Sequence, residues 1–269
     1  MSSNAQHAQP FRHLHSSGLL LLANAWDAGS ARLIESLGAR AIATTSAGVA
    51  WANGYADGDQ LPIDQLVATA AAIGRVISVP LSIDVEGGYS DDPATVAGNV
   101  VRLAGIGVVG INLEDGGGAP ELLCSKIGQI KRECAQRGLD VFINARTDVY
   151  LRGLAPAGQR VEPTLARAAL YREAGADGLF VPGLTEADEI RAVAAGAGLP
   201  LNVMLRPTLP DTATLESLGV RRLSAGSNLS EEAFAHTRTG AMAFLRSGRG
   251  TASAEAMGYG AINALFADR

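Results

Sequence analysis

Six times along this chain a glycine is followed by an apolar residue that opens a short apolar run: Gly38-Ala39, Gly107-Val108, Gly138-Leu139, Gly175-Ala176, Gly198-Leu199 and Gly219-Val220. Glycine tolerates the left-handed backbone that ends a helix, and a short run bounded in this way reads as a buried strand. With the remaining apolar runs, the predicted strands cover 19–25, 41–46, 81–85, 109–113, 141–146, 178–181, 201–205 and 222–225. Helical patterns separate them. Asp27 caps the first, which runs to about Leu37, and the others cover 62–77, 93–105, 122–137, 163–174, 186–195, 212–218 and 231–246. The result is eight strand–helix units of roughly thirty residues each. Alternation of this kind implies a parallel sheet. With 269 residues, 47% of them hydrophobic, one large core is expected rather than two small ones. The expected fold is therefore α/β, a (β/α)₈ barrel of the TIM type, with a doubly wound open sheet as the alternative. Residues 1–18 read as a loosely packed N-terminal arm, 19–247 as the barrel, and 248–269 as a tail with a helical stretch at about 254–266.

Charge and composition exclude several functions. The net charge is -5 and there is no basic run, so nucleic acid is not an expected partner. No apolar stretch approaches the length of a membrane span, and the residues through His15 carry no signal-peptide pattern. Cys124 and Cys134 lie ten residues apart, which fits no metal motif; a reducing, cytoplasmic setting is expected. The segment Gly105-Ile106-Gly107-Val108-Val109-Gly110 has dinucleotide-loop spacing, but it follows a helix and precedes a strand, the reverse of the required order. His7, His13 and His15 fall in the arm and His236 on a helix, so a Ser-His-Asp triad is not expected.

Barrel chemistry sits at the carboxyl ends of the strands. There the chain places Asn24, Ser46, Asp84, Glu86, Glu114, Asp115, Arg146 and Asn202. Strand side chains alternate, so Asp84 and Glu86 point the same way, into repulsion and desolvation that a cation would relieve. With Glu114 and the loop residue Asp57 they form an all-oxygen donor set. That set suits Mg²⁺, with Mn²⁺ as the substitute, and not zinc. Because Mg²⁺ keeps most of its waters, Asp84 is the expected direct ligand, with Asp57, Glu86 and Glu114 holding waters. The alternative is a network of acids paired with lysine or arginine. Arg146 can grip a carboxylate or phosphate through two parallel bonds, or pair with Glu114 or Asp148; the two roles are compatible. Ser46-Ala47-Gly48, where the second strand runs into a glycine-rich loop over 47–60, is either an anion-binding nest or a tight turn. Trp51 in that loop either covers the site or packs.

Seven segments carry a resemblance: Asn24-Ala25-Trp26-Asp27-Ala28, Thr45-Ser46-Ala47-Gly48-Val49-Ala50, Asp84-Val85-Glu86-Gly87-Gly88-Tyr89, Asn112-Leu113-Glu114-Asp115, Ala145-Arg146-Thr147-Asp148, Phe180-Val181-Pro182-Gly183 and Leu201-Asn202-Val203. In this order, from about residue 19 to 246, the chain resembles the isocitrate lyase/phosphoenolpyruvate mutase superfamily. The resemblance implies that Asp57, Asp84, Glu86 and Glu114 organise Mg²⁺, and that Ser46, Ala47, Gly48 and Arg146 hold a substrate carboxylate. It makes Asp57, Glu114 and Arg146 the catalytic candidates and adds Asp84 and Asn202 to the substrate side. It also implies a small 2-oxo acid, or a precursor of one, as substrate. A last helix exchanged between subunits of a homotetramer follows in the same way, with 231–246 and the tail as the exchanged part. One departure is clear. The family's lyases carry a Lys-Lys-Cys-Gly-His loop after the fourth strand; this chain has Gly116-Gly117-Gly118-Ala119-Pro120-Glu121-Leu122-Leu123-Cys124-Ser125-Lys126. The longer lysine-bearing gate of the phosphonate enzymes is also missing. The expected activity is Mg²⁺-dependent C–C bond cleavage or decarboxylation of a small 2-oxo or 2-hydroxy di- or tricarboxylic acid. The alternatives are C–P chemistry on phosphonopyruvate, as a hydrolase or mutase, and binding of a 2-oxo acid without turnover.

Overall fold

The computed structural model describes residues 3–250 and 256–267. Helix α1 (Ser3–His13) comes first, followed by a strand split into β1 (Leu20–Leu22) and β2 (Asn24–Ala25). The chain continues through α2 (Ala28–Ser36), β3 (Ile42–Thr44), α3 (Ser46–Ala52), α4 (Ile63–Val76), β4 (Leu81–Asp84), α5 (Pro93–Gly105) and β5 (Gly110–Glu114). Next are α6 (Pro120–Gln136), β6 (Phe142–Arg146), α7 (Val161–Ala174), β7 (Gly178–Phe180), α8 (Ala187–Gly196), β8 (Leu201–Met204), α9 (Thr212–Ser217) and β9 (Val220–Ser224). Helices α10 (Asn228–Ser247) and α11 (Tyr259–Ala264) complete it.

All strand pairs are parallel and follow chain order, with β1 on β9 and β2 on β3. Because β1 and β2 are halves of one strand, the sheet closes on itself. This is the TIM-like barrel, and closure excludes the open sheet. The main core fills the layer between barrel and helices, with Ile83, Ile111, Leu113, Ile143 and Leu179 buried against Val96, Ile127 and Ile190. Helix starts follow their caps. Asp27 accepts from the Ser30 backbone N–H at 2.7 Å, while Ser30 Oγ accepts from the N–H of Asp27 at 3.1 Å.

Three expectations need correction. The N-terminal arm is a helix packed under the barrel floor. Phe11 is fully buried, edge-on to Phe142 and His15. The Asn4 amide donates to the carbonyls of Val108 (2.7 Å) and Asp140 (3.0 Å), and Arg12 pairs with Asp140 and Asp177 at 2.6 Å each. Gly110 is required against it, since a Cβ there would stand 2.5 Å from the Phe11 ring. Second, the start of the 47–60 loop is the helix α3, and Gly48 lies inside it, where a Cβ would meet Thr45 at 2.7 Å and Trp26 at 2.9 Å. Close packing, rather than a turn, accounts for that glycine. Third, the tail helix is shorter than expected, Tyr259–Ala264; position 254 lies outside the described residues. Among the described residues, no helix is long and apolar enough to cross a membrane.

Candidate active site

The carboxyl ends of the strands meet at one mouth. A cavity of about 190 Å³ there is lined by Ser46, Ala47, Asp57, Asp84, Asn112 and Arg146, among others. Residues from β4, β5 and β6 thus face the start of α3 and the loop that carries Asp57. A second chamber of about 490 Å³ lies beside it, between the loops after β4 and β5, and Glu86 and Glu114 line it.

Asp84 ends β4 and is buried. It accepts from the Asn112 amide at 3.3 Å and from the Glu86 backbone N–H at 3.1 Å, neither of them charged. Burial pushes its carboxyl above the usual range, with Arg146 pulling the other way. Glu114 ends β5 and pairs with Arg146 at 2.5 Å; burial nevertheless pushes it up to about 8. Arg146 ends β6 and makes two bonds to the buried carboxylate of Asp148, at 2.7 and 3.1 Å. Its guanidinium also lies over the Phe180 ring. Three of its five N–H donors are thus committed and two remain. Ser46 and Ala47 line the cavity, and Gly48 is buried behind them.

Glu86 takes a different position from Asp84. Its carboxylate accepts from the backbone N–H groups of Gly58 (2.8 Å) and Asp59 (2.5 Å) and from the Tyr89 hydroxyl (2.9 Å). Asn202 is buried, donates to backbone carbonyls and to Ser224, and accepts from Asn144. Asp115 is held by Tyr171 (2.6 Å) and Arg167 (2.7 Å). Pairing of acids with arginine therefore describes Glu114 and Asp115. Trp51 packs edge-on against Phe234 of α10.

Sequence reasoning missed a polar layer beneath the mouth. Asn144 donates to both Asn112 and Asn202 at 2.9 Å, and the fully buried Arg222 donates to Asn112 at 3.2 Å. Burial pushes the Arg222 guanidinium down to about 10. The signal was present: asparagine recurs inside the apolar strands β2, β5, β6 and β8.

Among the described residues, no group of three or more His, Cys, Asp or Glu side chains stands ready to hold a metal by itself. A hard ion that keeps several waters needs only one or two carboxylates. Asp84 meets that requirement: a buried carboxylate with uncharged hydrogen-bond partners, sharing with Asp57 a cavity with no histidine or cysteine among its lining residues.

The sequence profile of phosphoenolpyruvate phosphomutase matches residues 11–245. An uncharacterised protein of Mycobacterium tuberculosis is 39% identical over 223 residues, covering 81% of each chain. An oxaloacetate decarboxylase of Pseudomonas entomophila is 30% identical over 224 residues, covering 78% of this chain and 75% of its own. A Burkholderia cenocepacia crystal structure described as a lyase or mutase superposes with a TM-score of 0.88 at 35% identity, over 98% of this chain and 97% of its own.

Proposed function

The chain belongs to the phosphoenolpyruvate mutase/isocitrate lyase superfamily, and from that premise we propose that it is a Mg²⁺-dependent carbon–carbon lyase acting on a small 2-oxo acid, with decarboxylation of oxaloacetate as its chemistry. The observation that carries this reading is the shared cavity of Asp57, Asp84 and Arg146. At about 190 Å³ it is smaller than the usual ligand pocket of ~300–1,000 Å³, which favours a short acid over a nucleotide-sized ligand. The likeness to an oxaloacetate decarboxylase points the same way.

In this reading the two remaining donors of Arg146 grip a substrate carboxylate, and Ser46 and Ala47 bound it on the side of α3. Asp148 and Glu114 hold the guanidinium in plane. Asn112 orients Asp84, and Asp84 with Asp57 would hold the Mg²⁺ ion. When bound, the ion supplies Lewis acidity that stabilises negative charge developing on the 2-oxo oxygen. Decarboxylation then needs no protein acid, since solvent supplies the final proton. Cleavage of an isocitrate-type substrate needs a base for the hydroxyl and an acid for the departing carbanion. Cys124 does not supply that acid here. It sits in the second turn of α6 and is not among the residues that line either cavity at the mouth. The phosphomutase profile supports C–P chemistry on phosphonopyruvate as a second reading.

Helix α10 supports exchange between subunits of a homotetramer. Of its twenty residues only Ser230 is buried, and Phe244 and Leu245 are 59% and 82% exposed. On the barrel wall, Leu21 of β1 is 54% exposed, where a last helix would normally cover it.

Calorimetry of pyruvate, oxaloacetate and 2-oxoglutarate, each with and without MgCl₂ and paired with product assays, tests the proposal. Binding that requires Mg²⁺, with turnover of oxaloacetate, is expected; equal binding without the ion overturns it.

A further inference from the structure

Two loops that meet at the mouth are tied together by their own side chains. The carboxylate of Glu86, after β4, takes the backbone N–H groups of Gly58 and Asp59 on one oxygen and the Tyr89 hydroxyl on the other. In return, the Asp59 carboxylate takes the Tyr89 backbone N–H at 3.1 Å. The contact is close: a Cβ on Gly87 would stand 2.8 Å from Asp59 Oδ2. The three non-glycine residues with left-handed backbone among the described residues are Asp59 (φ 57°), Glu86 (φ 51°) and Tyr89 (φ 61°). Such backbone persists only where the surroundings over-determine it. The base of the clasp is fixed from outside, since the Lys126 ammonium donates to the Gly87 carbonyl at 2.7 Å and the Asn99 amide to Gly88 at 3.2 Å.

Asp57 directly precedes Gly58 and lines the smaller cavity together with Asp84. Its own loop is attached to the barrel through the clasp. We propose that Asp59 and Tyr89 are positioning residues that act through Glu86 to hold Asp57 at the metal-binding cavity. Glu86 then serves the site as the anchor of that loop, with both its oxygens committed, rather than as a ligand. The inference rests on the reading of Asp57 and Asp84 as the acids that organise Mg²⁺.

Two measurements test it. Amide hydrogen exchange at Gly58 and Asp59, in buffer without Mg²⁺, reports the clasp alone. Tyr89→Phe removes only the hydroxyl and should speed exchange about tenfold, and Asp59→Ala should do the same, while Asp59→Asn keeps an acceptor and should restore protection. Calorimetric titration with MgCl₂ then reports transmission to the site. Tyr89→Phe should weaken binding by about three- to tenfold, and Asp57→Asn should weaken it further. The double variant should bind no worse than Asp57→Asn alone, because the hydroxyl acts through Asp57. Unchanged exchange in Tyr89→Phe overturns the clasp, and additive losses in the double variant overturn its action through Asp57. If the wild-type chain binds no Mg²⁺, the functional reading fails and this inference with it. If the wild type binds and Tyr89→Phe binds equally well, this inference alone fails.

Discussion

Arg146 is committed to Glu114 and Asp148 through three of its five N–H donors, and it lines the cavity. A lysine could keep the charge but not the planar fork, so Arg146→Lys should weaken 2-oxo acid binding by roughly 1–3 kcal/mol. Calorimetry with pyruvate and MgCl₂ measures this, and equal affinity would remove Arg146 from the substrate's contacts. Asp84→Ala should abolish Mg²⁺-dependent binding of the same ligand while circular dichroism stays unchanged. Cys124→Ser should keep most activity on oxaloacetate, because Cys124 lines neither cavity at the mouth; a loss beyond about tenfold would place it in the chemistry. Asp84, Glu114 and Arg146 were legible in the sequence because each is a charge at the end of an apolar run. The position of Glu86 was not. Strand alternation aims it alongside Asp84, but β4 ends at Asp84 and the backbone of Glu86 turns left-handed, which carries its carboxylate away from the direction that alternation predicts.

Helix α1 shows where element-level reading ran out. Its segment carries Phe11 as its one large aromatic anchor, too little for an amphipathic stripe, so it read as an arm. Tertiary packing stabilises it: Phe11 packs into the barrel floor against Gly110, and Arg12 bridges two acids. Phe11→Ala should therefore cost about 3–5 kcal/mol in denaturant unfolding; a cost below about 1 kcal/mol would mean that the floor is not load sharing. His15 follows α1 and stacks on Phe142. Burial, with the Arg222 cation beside it, pushes its imidazole down to about 3. The unfolded chain takes up a proton near the ordinary 6.5, so between these values it binds more protons than the native state. The stability that His15 contributes is thus full above about 6.5 and is lost as pH falls toward 3, by up to about 1.4 kcal/mol per pH unit. His15→Phe should flatten the fall in Tm between pH 7 and 5, and an unchanged slope would contradict a buried neutral imidazole. The helix α3 escaped notice for a related reason, since Gly48 reads as a turn until its neighbours are seen.

At the scale of the molecule, the barrel was legible because six of its eight strands follow one local glycine signal and the alternation of strands and helices needs no long-range information. Closure, by contrast, depends on the split of the first strand between β9 and β3, which no local pattern marks. Assembly belongs to this scale as well. If α10 is exchanged, light scattering at micromolar concentration should give a tetramer, and Phe244→Glu with Leu245→Glu should lower the mass; a monomeric wild type would contradict the exchange. Steady-state kcat/KM should be measured for oxaloacetate, isocitrate, 2-methylisocitrate and phosphonopyruvate, with MgCl₂ and after treatment with EDTA. The predicted result is release of pyruvate and CO₂ from oxaloacetate at a higher kcat/KM than for the other three, lost in EDTA and restored by MgCl₂ or MnCl₂. Turnover that survives EDTA, preference for phosphonopyruvate, or binding of oxaloacetate without any turnover would contradict it.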